Sequence, residues 1–285
     1  MIHQVNTLLC KKHLQFAIPC LKSFVKSCLD DFNLHIYEDG SLDQKEIELL
    51  EKEFPGSKIH KSEDVKERTM GMLSSFPNCL KYKLNSNFSL KLIDIPLDSP
   101  DQFSFVDSDI LFFRKFKNLD RSENEEETMV FMKDAVTYGY SLSFRDRYLG
   151  EKKIKLPDKI NSGFMFVDKE KSYDLEYIDW FLGRYMTDIS WRISILEQSC
   201  WAGLASRVNA FYWDTSQIQI PLNTDKIGKG VVAFHFIHNI RDRMEPFYEQ
   251  YFDEEPIKLK TSPVTYRNKY LVLAEKIYER VTNKL

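Results

Sequence analysis

Two carboxylates one residue apart, Asp107 and Asp109, directly follow the apolar run 103–106. A buried strand delivers the residues at its carboxyl end to the edge of a sheet, where α/β folds bind ligands. Residues i and i+2 of an extended chain point the same way, so both carboxylates face one spot. Two like charges in such a place repel each other unless a cation lies between them. The pair therefore predicts a divalent-metal site, and a diphosphate is the cargo that such a metal would carry.

A second polar segment leads into the apolar run 164–167. Its Gly163 can bring the backbone close to a ligand, and the amide of Asn161 can both donate and accept a hydrogen bond. Lys91 lies 16 residues before Asp107, on a predicted helix. These side chains are candidates for binding the ligand of the metal.

A third segment belongs to the last predicted strand, 231–236, and the turn that follows it. His235 lies at the end of this strand, and Arg241 comes shortly after it. A neutral imidazole at that edge can complete the coordination of the metal, and the guanidinium can hold phosphate.

The elements that must position these residues alternate between strand and helix. Before the carboxylates, strands are predicted at 2–9, 34–37 and 58–60, and helices at 14–29, at 43–54 with a capping box of Asp43 and Glu46, and from Ser62 onward. After them, a strand is predicted at 163–167, helices at 172–185 and 193–205, and a closing helix at 265–281. This order describes an α/β fold whose first half is a parallel nucleotide-binding unit.

Composition excludes several classes of protein. The net charge of −3 gives no electrostatic argument for a nucleic-acid partner. The chain lacks an apolar run of the length that spans a membrane, and its first residues do not have the pattern of a signal peptide. Five scattered cysteines are most simply buried, reduced thiols. We therefore expect a cytoplasmic protein.

Taken together and in order, these motifs resemble those of the GT-A glycosyltransferases, and within them the retaining glycogenin-like group. That group carries Asp-x-Asp, Asn-x-Gly, an Asp-Gln-type pair and His-x-x-Gly-x-x-Lys. The matching residues here are Asp107-Ser108-Asp109, Asn161-Ser162-Gly163, Glu197-Gln198 and His235 through Arg241. The resemblance covers about residues 1–245 and implies a Rossmann-like, mostly parallel sheet flanked by helices.

The resemblance and the residue types assign a role to each candidate. The metal, Mn²⁺ or Mg²⁺, is assigned to Asp107, Asp109 and His235; the nucleotide-sugar donor to Asp39, Lys91, Asp107, Gly163 and Arg241; and the reacting sugar to Asn161, Glu197 and Gln198. Three residues depart from the pattern of the group: His238 replaces a glycine, Arg241 a lysine, and Glu197 an aspartate.

The implied function is transfer of a hexose from a nucleoside-diphosphate sugar, UDP-sugar first, to an acceptor hydroxyl with retention at the anomeric carbon. The acceptor is a saccharide, a lipid-linked molecule or a protein. Glu197 acting as a base behind the anomeric carbon would instead give inversion.

Two other functions stay open. A haloacid-dehalogenase-type phosphatase also places Asp-x-Asp after an apolar strand, with Asp107 as nucleophile and Asp109 as general acid. That fold usually begins with the motif, whereas here about a hundred residues precede it. A non-catalytic module that binds a sugar nucleotide is the other alternative.

Each candidate residue also has a purely structural interpretation. The Asp-x-Asp carboxylates could end a strand in solvent, and His235 could be a core histidine satisfied by the backbone. The other structural roles are a turn for Asn161 and Gly163, a helix cap for Asp39, and a helix surface for Lys91 and Glu197. The aromatic residues that could stack on acceptor sugars, or simply pack, are Tyr138, Tyr140, Phe144 and Tyr148.

The expected organisation is a single glycosyltransferase domain at 1–255 with a basic helical extension at 256–285 packed on it. The extension carries seven basic and two acidic residues. Such a segment could contact an anionic membrane surface peripherally, although a packed helix with a solvated basic face is the commoner case.

Overall fold

A mixed sheet of eight strands forms the centre of the chain in a computed structural model. The structure describes residues 2–135, 140–143, 146–147, 154–186, 190–222, 224, 226–268, 270 and 274, with only the backbone at 190–194 and at 239. The strands are β1 His3–Leu9, β2 Phe32–Glu38, β3 Lys58–His60, β4 Gln102–Val106, β5 Ile110–Phe112, β6 Arg114–Lys117, β7 Met129–Lys133, β8 Ile160–Asp168, β9 Ala210–Trp213, β10 Ile218–Gln219, β11 Ala233–His235, β12 Phe252–Lys258 and β13 Thr261–Pro263.

The helices flank this sheet. They are α1 Leu14–Ser27, α2 Gln44–Glu53, α3 Ser62–Met70, α4 Pro77–Asn85, α5 Ile95–Asp98, α6 Lys169–Ser172, α7 Leu175–Tyr185 and α8 Ser190–Ala205. A π-helical segment, Leu90–Asp94, lies directly before α5, and 3₁₀ helices lie at Lys11–His13, Gly71–Leu73, His238–Arg243 and Glu245–Phe247.

The strand order of the central sheet is β13-β9-β7-β8-β4-β1-β2-β3. Strands β4, β1, β2 and β3 pair in parallel, as the alternation of strands and helices predicted. Strand β8 lies antiparallel between β4 and β7, so the sheet is mostly but not wholly parallel. Strands β10, β11 and β5 form a second small sheet, and β12 pairs with β6 in a third.

The core fills both faces of the central sheet, because helices cover both. Along β8, Phe164 and Phe166 belong to the apolar cluster that includes residues of α1, whereas Met165 and Val167 belong to the cluster that includes residues of α7 and α8. This alternation is the period of two that a strand imposes on its side chains. A sheet covered on both faces is the layer arrangement of α/β folds, as the sequence predicted.

The helices of the first half begin and end close to where the sequence indicated. Helix α1 buries a stripe of residues that includes Leu14, Leu21 and Phe24. Helix α2 starts at the predicted capping box: the Asp43 carboxylate accepts from the N–H of Glu46, and the Glu46 carboxylate accepts from the N–H of Asp43. These predictions are confirmed.

The prediction of a helical extension that starts at position 256 is wrong for residues 256–263, because two strands occupy this segment. Strand β12 continues across this position, and β13 adds an edge strand to the central sheet, antiparallel to β9. The sequence signal for a strand is weak because β12 is largely exposed, contains Pro256 and shows no apolar alternation. Most of the predicted helix 265–281 lies outside the described residues.

Within the described part of the chain, no helix has the length and apolar character needed to cross a membrane.

Candidate functional site

The strands bring the Asp-x-Asp and Asn-x-Gly motifs to one edge of the central sheet. Strand β4 ends at Val106, immediately before Asp107, and β8 runs antiparallel to it with Phe164 opposite Val106. The start of β8 therefore lies where β4 ends, which places Asn161 and Gly163 beside Asp107. Both residues lie within a buried strand, so the simple turn expected as their structural role is not what they form.

His235 reaches the same place through the small second sheet. Strand β11 pairs antiparallel with β5, which follows the carboxylates, and His235 lies opposite Ile110. The N–H of Phe236 donates to the carbonyl of Asp109 at 2.9 Å. His235 is thus the last residue of β11, but β12 and β13 follow, so the prediction that this is the last strand is wrong.

Asp107, Asp109 and His235 form a compact cluster of metal-ligating groups. One ligand atom from each lies within 4.8 Å of the others. The imidazole Nε2 of His235 is 3.0 Å from Asp109 Oδ1 and 3.7 Å from Asp107 Oδ2. Asp109 and His235 are buried, which excludes the interpretation of two solvated carboxylates at a strand end.

The chemistry of this donor set fits a divalent cation such as Mn²⁺ or Mg²⁺. Two carboxylates supply hard oxygen ligands and the imidazole a borderline nitrogen. The other ring nitrogen of His235, Nδ1, is buried and has no hydrogen-bond partner among the described residues, so their backbone does not satisfy this histidine. Nε2, which faces both carboxylates, is the nitrogen available to a metal.

Gly163 supports this cluster from behind. A Cβ atom at this position would lie 2.4 Å from Cε1 and 2.7 Å from Nδ1 of His235. The carbonyl of Gly163 also accepts from the N–H of Asp107 at 2.6 Å. The lack of a side chain therefore lets His235 approach the two carboxylates. Gly163 contacts these candidate metal ligands and does not line the cleft in front of them.

Two cations neutralise the carboxylates. Lys91 Nζ donates to Asp107 Oδ1 at 2.9 Å, and Nε and Nη2 of Arg241 both lie 2.7 Å from Asp109 Oδ2. Burial alone would raise the pKa of Asp109, but His235 and Arg241 outweigh it and hold this pKa well below its usual range. Asp109 is thus kept as the anion that a metal requires.

Lys91 is buried on the π-helical segment and is not a surface lysine. Burial lowers its pKa, but the carboxylates of Asp107 and Glu197 outweigh this effect, so the net shift of the pKa is upward. The π-helical turn is a common local distortion at functional sites, because it changes the direction in which a helical side chain points. Lys91 accordingly presents a permanent positive charge to the cluster.

Glu197 and Gln198 lie on α8, on the other side of the Asn-x-Gly segment. Ser162 Oγ donates to Glu197 Oε2 at 3.2 Å, while the second oxygen, Oε1, has no hydrogen-bond partner among the described residues. Burial raises the pKa of Glu197 to about 7, although Lys91 opposes this shift. Gln198 makes long contacts of 3.5 Å with the N–H of Ser162 and 3.4 Å with Asp134. Glu197 is 3% exposed, so it is not a carboxylate on the surface of a helix.

Asp39 does not cap the helix that follows it. Its Oδ1 accepts from the N–H and the hydroxyl of Ser41, which closes a local turn, and the cap of α2 is Asp43. The N–H of Asp39 donates to the carbonyl of Leu9, which fixes the end of β2 against the end of β1. Asp39 lines the same cleft as the metal-ligating cluster.

The predicted site residues, apart from Gly163, line one cleft of about 660 Å³. This volume suits a drug-sized ligand. The predicted residues that line it are Asp39, Lys91, Asp107, Asp109, Asn161, Glu197, Gln198, His235 and Arg241. The structure therefore brings into one cleft residues that are far apart in the sequence.

Three lining residues, His13, Phe88 and Asp134, lie outside the sequence motifs. Ser162 and His238 lie within the motifs and also line the cleft, although the sequence assigned them no role. Asp134 carried a usable signal, because it follows the apolar strand β7 in the way that Asp107 follows β4. His13 and Phe88 lie in segments whose approach to the cleft depends on tertiary packing, and their residue types alone do not indicate a site.

Of the four aromatic residues considered for an acceptor, Tyr140 alone lies within the described residues. It is buried, donates its hydroxyl to the carbonyl of Pro157 at 2.8 Å and accepts from the N–H of Ile160 at 2.6 Å. Tyr140 is therefore a buried structural residue that fixes the backbone before β8. Tyr138, Phe144 and Tyr148 lie outside the described residues.

No family model matches the chain, and a search of curated proteins gives no match to its sequence. Solved structures do match its fold. Mouse xyloside xylosyltransferase 1, in its apo form, aligns with a TM-score of 0.53 at 11% identity over 90% of this chain and 96% of that one. The galactosyltransferase LgtC, in complex with donor and acceptor sugar analogues, aligns with a TM-score of 0.50 at 7% identity over 88% and 97%.

A third match is the bifunctional glycosyltransferase WbbM in its apo form. It aligns with a TM-score of 0.52 at 10% identity over 84% of this chain and 46% of the longer WbbM chain. At such low identities these matches establish the fold, and the narrower resemblance to the glycogenin-like group stays a prediction. The mixed, mostly parallel sheet flanked by helices that this chain forms is the GT-A fold of these glycosyltransferases.

Proposed function

We propose that the protein is a metal-dependent glycosyltransferase that moves a hexose from a nucleoside-diphosphate sugar, most simply a UDP-sugar, to an acceptor hydroxyl. One observation carries the proposal: two carboxylates and an imidazole with ligand atoms within 4.8 Å of one another face a cleft of about 660 Å³. The cluster lies at the edge of a GT-A sheet, where α/β folds bind nucleotides.

In this proposal Asp107, Asp109 and His235 hold the divalent cation. A bound Mn²⁺ or Mg²⁺ supplies Lewis-acid stabilisation of the diphosphate that departs from the sugar. Asp39, which directly follows β2, contacts the base or ribose of the donor.

Arg241 and Lys91 supply the fixed positive charge of the site. They contact the carboxylates of the cluster at 2.7 and 2.9 Å, respectively. Charge that grows on the leaving diphosphate is stabilised by these cations, which are already in place and need no reorganisation. Arg241 adds a planar set of donors that matches phosphate oxygens.

Asn161, Gln198 and Glu197 bind the sugar that is transferred. Glu197 is the central member, because its Oε1 has no partner among the described residues and its pKa of about 7 allows it to accept or to donate a hydrogen bond near neutral pH. We infer that it orients a hydroxyl of the donor sugar. Retention of configuration, by a route without a protein nucleophile, is part of the same proposal and rests on the resemblance to the retaining glycogenin-like group.

The donor sugar and the acceptor belong to the same proposal. The matching structures include a galactosyltransferase and a xylosyltransferase, so UDP-galactose is the first hexose donor to test, with UDP-glucose beside it. UDP-xylose completes the panel, and a preference for it would make the transferred sugar a pentose. A saccharide hydroxyl is the first acceptor, and lipid-linked or protein acceptors follow. A peripheral membrane contact through the basic C-terminal segment would bring a lipid-linked acceptor within reach.

The two alternatives have less support. A haloacid-dehalogenase-type phosphatase needs Asp107 as a nucleophile, but here that carboxylate receives the ammonium of Lys91 at 2.9 Å and shares a cluster with His235. The fold is also that of glycosyltransferases. A module that only binds the donor would leave the arrangement of Glu197 and Gln198 beside the cleft unexplained.

The test is slow hydrolysis of a panel of nucleotide sugars, measured as release of the nucleoside diphosphate. We expect release from one donor with Mn²⁺ and none with a chelator. Asp109→Asn should lower the rate at least about 100-fold, because it removes an anionic ligand. The matched control is Asp253→Asn, which changes an exposed carboxylate paired with Lys115 and should keep the rate.

Two results would overturn the proposal. Release of phosphate from simple esters, with no donor hydrolysed, would favour the phosphatase. Tight binding of a donor with neither hydrolysis nor transfer to any acceptor would favour the binding module.

A further inference from the structure

The backbone of His238 adopts a conformation that favours glycine. Its φ angle is +43°, in the left-handed region. A side chain there is strained relative to glycine, which adopts such angles freely. Strain of this kind persists where the surrounding structure imposes it, and it occurs preferentially at ligand-binding sites. The strained backbone at His238 therefore marks this residue as a candidate for contact with a ligand.

His238 opens the 3₁₀ helix His238–Arg243, which also carries Arg241. Arg241 points to the metal-ligating cluster, with its Nε 2.7 Å from Asp109 Oδ2. Both residues line the cleft, so the imidazole of His238 and the guanidinium of Arg241 face the same volume.

The imidazole of His238 is exposed and makes no hydrogen bond or ion pair with the described residues. It also lines an adjoining cavity of about 680 Å³, together with His13 and Arg241. Its ring N–H is therefore available to donate to a ligand, and no polar contact with the described part of the chain requires the ring at this place.

We propose that the His238 side chain donates a hydrogen bond to the diphosphate of the donor, next to Arg241. This inference rests on the proposed function, in which the cluster at Asp109 holds a metal-bound diphosphate. A glycine here could offer its backbone alone. His238 keeps the glycine-like course of the loop and adds a side-chain donor, so the favourable contact with the phosphate offsets the strain of the backbone.

The test compares the wild type with His238→Gly and His238→Ala in calorimetric titrations with UDP and with uridine, both in Mn²⁺. We expect both variants to bind UDP about tenfold more weakly, the effect of losing one hydrogen bond to a charged group. Uridine affinity should stay unchanged, because uridine has no diphosphate. The Tm of His238→Gly should be no lower than that of the wild type and up to about 2 °C higher, whereas His238→Ala retains the strain and gains nothing.

Asn118→Gly is the matched control. Asn118 also has a positive φ, of 78°, and lies at the end of β6, outside the residues that line the cleft. Its replacement by glycine should leave UDP affinity unchanged.

The outcomes separate this inference from the proposed function. Wild type that binds UDP with Mn²⁺, together with histidine variants that bind it equally well, would overturn the role of His238 alone. An equal loss for uridine and UDP would move the contact from the diphosphate to the nucleoside and would also overturn it. Wild type that binds no nucleoside diphosphate, tested with UDP, GDP and ADP in Mn²⁺, would overturn both.

Discussion

Two buried carboxylates of the cleft, Asp109 and Glu197, have pKa values shifted in opposite directions. His235 and Arg241 outweigh the burial of Asp109 and keep its pKa low, whereas burial dominates at Glu197 and raises its pKa to about 7. The difference arises from their direct partners, since Asp109 receives a guanidinium and Glu197 the uncharged hydroxyl of Ser162. One carboxylate is thus suited to a metal and the other to a hydroxyl of a sugar.

The raised pKa of Glu197 makes stability depend on pH. In the folded state Glu197 holds its proton up to about pH 7, whereas the ordinary pKa of a glutamate side chain is 4.5. The resulting stabilisation is fully present below pH 4.5 and is lost as the pH rises through about 7. Glu197→Gln removes this dependence, so its free energy of unfolding relative to wild type should rise by about 3 kcal/mol between about pH 4.5 and pH 8.

The measurement is urea unfolding of both proteins at several pH values with a chelator present. Glu176→Gln, which changes a carboxylate on the exposed side of α7, serves as the control. A difference between wild type and Glu197→Gln that stays constant with pH would contradict the raised pKa.

Replacement of Gly163 should weaken metal binding although all three proposed ligands, Asp107, Asp109 and His235, are kept. A Cβ atom in Gly163→Ala would meet His235 at 2.4 Å, so the imidazole must move away from the carboxylates. We expect Mn²⁺ to bind about 10- to 100-fold more weakly, the usual effect of disturbing the support of a ligand. Gly71→Ala, where a Cβ meets nothing within 4 Å, is the control, and calorimetry with Mn²⁺ is the measurement. Wild-type affinity in Gly163→Ala would show that His235 is not a ligand.

At the scale of the elements, a buried ion pair fixes the π-helical segment that carries Lys91. The ammonium of Lys83, on α4, contacts the carboxylate of Asp94 at the end of this segment, and both side chains are almost fully buried. Thr69, on α3, donates to Asp94 Oδ1 at 2.5 Å. Three helical segments are therefore joined at one carboxylate behind the cleft.

Removal of one partner of this pair should destabilise the protein strongly. Asp94→Ala leaves the ammonium of Lys83 buried without its counter-charge, and we expect the free energy of unfolding to fall by about 3–5 kcal/mol. The double variant Lys83→Met, Asp94→Leu leaves no charge at these two positions and should lose less. Lys115→Met, which breaks an exposed pair with Asp253, should leave the free energy of unfolding nearly unchanged. In urea unfolding, a double variant as unstable as Asp94→Ala would contradict this account.

The sequence predicted the elements that carry a strong local signal. Short apolar stretches identified β1, β2 and β4, the place between two predicted helices identified the short β3, and a capping box marked the start of α2. These signals are local, because hydrophobic period and helix caps involve residues close in the chain. The carboxylates after β4 could be predicted as a site for the same reason.

Alternating helices predicted the parallel direction of the first strands, but the direction of β8 and the pairing of the last strands could not be predicted, because they depend on residues far apart in the sequence. Strand β8 has a continuous apolar pattern that fits a parallel or an antiparallel neighbour equally well, and it proves antiparallel to β4. The exposed strand β12 lacks a local pattern altogether. The burial of Glu197 and the approach of His13 and Phe88 to the cleft are likewise consequences of packing.

At the scale of the whole molecule, the fold narrows the function without fixing it. Identities of 7% and 11% accompany alignments over most of the chain, so the GT-A architecture is shared while nearly all side chains differ. Fold alone does not imply function, and the donor, acceptor and stereochemistry depend on the side chains in the cleft.

Whether the reaction retains or inverts the anomeric configuration depends on how the donor and the acceptor lie relative to each other across the whole cleft, and we predict retention. An α-linked donor should give an α-linked product, which NMR of the product identifies from its anomeric proton. A β-linked product would contradict retention and would make Glu197 a base, since a buried carboxyl with a pKa of about 7 is suited to that task.

The most direct test of the central claim is the binding of Mn²⁺ to the cluster, followed by electron paramagnetic resonance of free Mn²⁺ during titration with protein and UDP. We predict that the wild type removes the signal of free Mn²⁺ and that UDP strengthens this binding. Asp109→Asn should leave most of the signal, whereas the exposed variant Asp253→Asn should behave like the wild type. Equal binding by wild type and Asp109→Asn would contradict the assignment of the metal to Asp107, Asp109 and His235.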